Sequence, residues 1–128
     1  MINNSLNNFQ SIRYQYFIIS SFICFSKVPT SVPPLFTCKQ ESESKISLTW
    51  EHLDPDQWNG YMNGYKLEYV KYNENIPYSV DTFTSDKRNG MILNLEPFTK
   101  YEIYLRAMTR VGYGPRAWCV QSTQEGSK

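Results

Sequence analysis

The stretch Asn94-Leu95-Glu96-Pro97-Phe98-Thr99-Lys100-Tyr101-Glu102-Ile103-Tyr104-Leu105-Arg106-Ala107 decides the fold. It reads as the end of one β-strand, a tight corner and a long second strand. From Tyr101 onward the residues alternate, with Tyr101, Ile103, Leu105 and Ala107 on one face and Glu102, Tyr104, Arg106 and Met108 on the other. Period-two alternation marks a strand with one face in a core. Pro97 removes a backbone donor and fixes φ, so the first strand must stop near it. Tyr101 opens the next strand, where a buried ring can return its hydroxyl to the backbone just upstream. Such a tyrosine corner is a feature of antiparallel sandwiches.

Working outward, Lys45–Trp50 alternates with Ile46, Leu48 and Trp50 on the core face. Asp54-Pro55-Asp56 and Asn59-Gly60 punctuate the loop that follows. Tyr65 to about Tyr72 is the next strand, with Tyr65, Leu67 and Tyr69 inward, and Asn75-Ile76-Pro77 breaks it. A weaker strand covers Tyr78–Thr84, where Val80 and Phe83 fall on opposite faces and leave its register open. Asn89-Gly90 is a tight-turn signal, after which Met91, Leu93 and Leu95 are expected to face inward. Before all of these, Val32-Pro33-Pro34 suits a linker entering an edge strand on which Phe36 and Cys38 point inward. Ala117–Thr123 supplies the last strand.

Seven short strands with turn signals between them, and no helical periodicity of useful length, predict an all-β, seven-stranded antiparallel β-sandwich of immunoglobulin-like type. One sheet should hold the strands at Phe36, Lys45–Trp50 and Met91–Leu95. The other should hold Tyr78–Thr84, Tyr65–Tyr72, the long strand from Tyr101 and Ala117–Thr123.

Leu95-x-Pro97-x-Thr99-x-Tyr101, with Trp50 ending an alternating run, Gly64-Tyr65-x-Leu67-x-Tyr69 and Gly112-x-Gly114-Pro115, resembles the fibronectin type III domain. The resemblance covers about Val32 to Glu125, and its force lies in the combination and order of the motifs. Trp50, Tyr65, Leu95, Pro97 and Tyr101 are its structural positions. It implies a non-catalytic module of a cell-surface adhesion or receptor protein, acting as spacer and protein-binding surface. Two other settings fit the resemblance: an intracellular muscle-type scaffold, and an accessory domain of a larger receptor phosphatase or other enzyme. Implied partners are other proteins and neighbouring domains of a longer chain, with a membrane involved only through other parts of that chain.

The 128 residues suffice for one domain and a short extension. The expected layout is a leader at 1–27, the domain at 28–125 and a tail or linker at 126–128. Met1–Gln10 is polar and rich in asparagine, while Tyr16–Phe25 is an apolar run behind Arg13. That run is too short to span a bilayer, which takes about 20 residues. It reads either as a secretory signal peptide cleaved after Ser26 or as a non-native start. The one sequon, Asn3-Asn4-Ser5, lies in this leader.

Net charge is +1, and leaving out Arg13, Lys27 and Lys128 leaves 10 basic and 12 acidic residues. This balance makes no electrostatic case for nucleic acid or an anionic membrane. Aromatic residues make up 16%, ten of them tyrosines, which suits pleated surfaces. The single histidine, His52, has no nucleophile or orienting group at a telling spacing. Gly112-Tyr113-Gly114 precedes a strand rather than a helix and is no phosphate loop. Glu41, Glu43, Asp54 and Asp56 lack the spacing of a calcium loop. No enzyme, cofactor or metal site is therefore expected.

Cys38 and Cys119 lie on the first and last strands, without neighbours at metal-ligand spacing. Two free, partly buried thiols are favoured, because most fibronectin type III domains have no disulfide. A bridge is the alternative, since the first and last strands of such a sandwich can approach along one edge. For binding, Trp58 and Tyr61 in one loop and Tyr113 in another, beside Arg110 and Arg116, would share one end of the resembled fold. Trp58, Tyr61, Tyr113 and Arg116 are the candidate protein-binding residues, because Trp, Tyr and Arg dominate binding hot spots. The plainer alternative, that Trp58 folds back on its own loop and Tyr113 caps the sheet, is favoured. Neither the Arg-Gly-Asp sequence of fibronectin nor the Trp-Ser-x-Trp-Ser box of cytokine receptors is present.

Overall fold

The computed structural model describes residues 27–125. The leader expectations, for a signal peptide or a non-native start before Lys27, lie outside the described residues. Seven strands and one helical turn follow in order: β1 (Thr37–Gln40), β2 (Ile46–Thr49), α1 (Pro55–Trp58), β3 (Met62–Lys71), β4 (Ser79–Phe83), β5 (Asn89–Ile92), β6 (Lys100–Thr109) and β7 (Ala117–Ser122). They form two antiparallel sheets with strand orders β1-β2-β5 and β4-β3-β6-β7, so the seven-stranded sandwich stands as expected.

The core is built from facing alternations. Ile46 and Leu48 of β2 meet Leu67 of β3 and Ile103, Leu105 and Ala107 of β6, all at 1% exposure or less. Trp50 lies just beyond β2 and sits edge-on to Tyr65, with ring centroids 5.4 Å apart. Phe83 closes on its other side at 5.3 Å. This settles the open register of β4: Phe83 pairs with Tyr65 and packs on the core, while Val80 pairs with Glu68 and is exposed.

Strand β5 departs from expectation twice. Asn89 and Gly90 form no turn; they pair with Thr49 and Leu48 inside the sheet. A Cβ on Gly90 would lie 2.5 Å from the Phe83 ring, so the missing side chain makes room for that aromatic. The inward residue is then Ile92, while Met91 and Leu93 are exposed. Asn94 takes a left-handed φ of 60°, which breaks the alternation and returns Leu95 to the interior.

The corner between β5 and β6 is held by side chains on both sides of one peptide residue. The Glu96 N–H donates to Tyr101 Oη at 3.0 Å. The Thr123 hydroxyl, buried after β7, donates to the Glu96 carbonyl at 2.6 Å and accepts from the Thr99 N–H at 3.0 Å.

Candidate protein-binding surface

The loop from Trp50 to β3 does not present Trp58. Pro55 suits the first turn of α1, and Asn59 ends it in a left-handed conformation with φ 62°. That single turn swings the Trp58 indole inward, edge-on to Tyr65 at 5.4 Å and 1% exposed. Trp58 is a core residue here, and its expected place in a binding patch is corrected. Tyr61 is 59% exposed and lies under the Arg110 guanidinium at 4.5 Å. Beside this turn a groove of about 380 Å³ is lined by His52, Leu53, Met62 and Asp86 among others.

The same end of the sandwich receives a strap from residues 27–30. Lys27 N–H donates to the Asn59 carbonyl at 2.8 Å and Thr30 N–H to the Gln57 carbonyl at 2.9 Å. The buried Thr109 hydroxyl donates to the Lys27 carbonyl at 2.7 Å. Pro29 is fully buried against Gly114, where a Cβ would fall 2.8 Å from the proline Cβ. The strap therefore occupies part of the space between α1 and the β6–β7 loop.

Tyr113 and Arg116 belong to a different surface, the outer face of the four-stranded sheet. Pairing across that sheet sets Val80, Glu68, Tyr104 and Trp118 in one row running from β4 to β7. Arg116 stacks on Tyr104 with its guanidinium carbon 4.0 Å from the ring centroid. Tyr78 stacks nearly parallel to the same ring, at 5.6 Å and 14°. In the next row Lys66 and Arg106 both lie against the Tyr113 ring, at 4.4 and 5.2 Å. They also flank Glu68, at 3.8 and 3.9 Å. Burial, then the neighbouring Glu102 carboxylate and Tyr78, lift the Tyr104 phenol above its ordinary pKa.

The four candidate binding residues are thus not brought together: one is buried, one faces Arg110, and two lie on the sheet face. Sequence reasoning missed Trp118, which is 66% exposed on β7. The available signal was alternation alone, which puts Trp118 on the face opposite Cys119 without saying which of the two is inward.

Cys38 and Cys119 form a disulfide, with Cα atoms 6.4 Å apart. The favoured expectation of two free thiols is overturned because both residues face inward where β1 and β7 meet: Cys38 pairs with Leu48 and Cys119 with Ile103. Among the described residues no helix is long and apolar enough to cross a membrane, and no cluster of His, Cys, Asp and Glu could hold a metal ion.

Sheet order, corner and paired inner faces define an immunoglobulin-like antiparallel sandwich. The chain belongs to the fibronectin type III family, whose domain model matches residues 31–123. It is 39% identical over 88 residues to ephrin type-B receptor 5 of Gallus gallus, covering 69% of this chain and 8% of that protein. Neurofascin of Gallus gallus is 30% identical over 95 residues, covering 68% and 7%. Receptor-type tyrosine-protein phosphatase F of Mus musculus is 28% identical over 91 residues, covering 70% and 5%. The chain thus spans less than a tenth of the length of these curated relatives. Among solved structures, the third fibronectin III domain of human KIAA0343 protein superposes with a TM-score of 0.71 at 25% identity, covering 81% of this chain and 90% of that one. The chicken CNTN1 FN1-FN3 domains superpose at 0.69 and 26% identity, covering 76% and 33%.

Proposed function

We propose that the domain is a non-catalytic module of a cell-surface adhesion or receptor protein, serving as spacer and protein-binding surface. The observation that carries this reading is the Cys38–Cys119 disulfide, which ties the first strand to the last. Disulfides persist in oxidising compartments and are rare in the cytosol, so the bond favours an extracellular module over an intracellular scaffold. Relatives named as receptors support the same setting. The receptor-type phosphatase among them keeps a catalytic parent in view, with the catalysis outside this domain. Function is carried by the surface and not by the fold, so the exposed aromatic and cationic residues of the outer sheet face, Tyr113 and Arg116 among them, are the binding candidates.

Surface biotinylation of intact cells that make the native protein tests the setting. An antibody against the domain should recover labelled protein without permeabilisation. Labelling only after permeabilisation would contradict the reading.

A further inference from the structure

We propose that the outer face of the four-stranded sheet docks an acidic protein segment that presents a carboxylate flanked by apolar side chains. Trp118, Tyr104 and Arg116 are its anchors. This deepens the protein-binding reading above and rests on it.

Three observations converge on these residues. Trp118 is 66% exposed and stands directly opposite Tyr104 in the β6–β7 pairing, so a large apolar surface faces solvent on the edge strand β7. Exposed apolar area flanked by polar residues marks interaction sites. The Arg116 guanidinium carbon lies 4.0 Å over the Tyr104 ring, and among the described residues it makes no ion pair or side-chain hydrogen bond. A guanidinium stacked on a ring keeps its edge N–H groups free, in a fork that matches a carboxylate. Tyr78 stacks on Tyr104 as well, so the platform under Arg116 is ordered before any partner arrives.

The charge on the face selects the occupant. Lys66 and Arg106 are already shared by Glu68, and Glu102 lies on the same face beside Tyr104. Lys100, farther along β6, lies over Tyr72, and beside Tyr104 and Trp118 the Arg116 guanidinium is left to engage an outside anion. A polyanion such as a sulfated glycan gains its affinity from many cations together, whereas one open cation beside a bare indole fits a single carboxylate among apolar groups. At the far end of the row, on the opposite edge strand, Val80 is exposed as well.

Random linear peptides displayed on phage and selected on the full 128-residue chain test this directly. Enriched peptides should carry Asp or Glu next to apolar residues. Synthesised, they should bind about tenfold or more weakly to Trp118→Ala and to Arg116→Gln, and lose similarly when their carboxylate becomes an amide. Both side chains are exposed, so the variants should keep the wild-type thermal midpoint. Peptides that bind both variants unchanged but lose affinity for Tyr61→Ala would overturn the sheet face while leaving a binding module in place. Displacement of the peptides by heparin, with binding lost on Arg116→Gln and retained on Trp118→Ala, would overturn the choice of a protein partner. Failure to enrich any peptide over an albumin control would overturn both the surface and the binding reading.

Discussion

Tyr101 accepts a hydrogen bond from Glu96 through its phenolic oxygen, 3.0 Å from the backbone nitrogen five residues upstream. The direction matters, since the group left behind by Tyr101→Phe is a donor and not an acceptor. Glu96 itself is exposed, so water can reach part of that donor. The expected cost is about 1–2 kcal/mol, within the range for an unpaired backbone group. Equilibrium denaturation of wild type and variant checks it, and an unchanged midpoint would deny the corner a structural role.

Trp50 and Trp58 should be comparably damaging when truncated. Both are buried, and both rings sit edge-on to Tyr65. Either Trp→Ala change leaves a large cavity and should cost about 3–5 kcal/mol. Tyr61→Ala, on an exposed ring, should stay within about 0.5 kcal/mol. Urea unfolding of the three variants gives the comparison.

The strap makes a boundary prediction. A chain starting at Ser31 loses the bonds of Lys27 and Thr30 and the Pro29 contact, and uncovers the buried Thr109 hydroxyl. Stability should fall by about 2–4 kcal/mol relative to a start at Lys27. Gly114→Ala should give part of that loss in the longer chain, by pushing Pro29 away, and almost none in the shorter one. Thermal unfolding of the four proteins forms a double-mutant cycle.

The parts of the fold that were readable without coordinates were those written in alternation. The buried faces of β2 and β6 follow from period two alone, and Pro97 with Tyr101 located the corner. Where backbone conformation overrides periodicity, the reading failed. Asn94 in the left-handed region shifts β5 by one residue, and nothing in a run of Met, Ile, Leu, Asn and Leu shows which of them will face inward. Asp-Pro-Asp and Asn-Gly look like loop punctuation and leave Trp58 a candidate for the surface beside the favoured folded-back reading, although Pro55 and Asn59 equally begin and end a single helical turn. The disulfide needed the face of Cys119, which depends on pairing with Ile103 rather than on local sequence.

Alkaline pH should destabilise the domain through Tyr65. Burial raises this phenol above its ordinary value near 10, outweighing the lowering by the nearby polar groups of Leu53 and Trp50 and by Arg88. The folded state therefore holds the proton more tightly than the unfolded chain. Its contribution is present in full below the ordinary tyrosine value and is lost as pH rises through the folded one. Unfolding midpoints followed from about pH 8 to 11 should decline, and Tyr65→Phe should shallow the slope. An identical slope in the variant would assign the decline to other groups.

The bond between Cys38 and Cys119, separated by 81 positions in sequence, is the main support for an extracellular module. Closing a loop of that length stabilises by about 4–5 kcal/mol in the chain-entropy model. Thiol titration of denatured, unreduced residues 27–128 from a secretory host is the most direct test. The prediction is no free thiol, with an unfolding midpoint that drops sharply on reduction. Two free thiols in a folded domain would contradict it and remove the main support for an extracellular module.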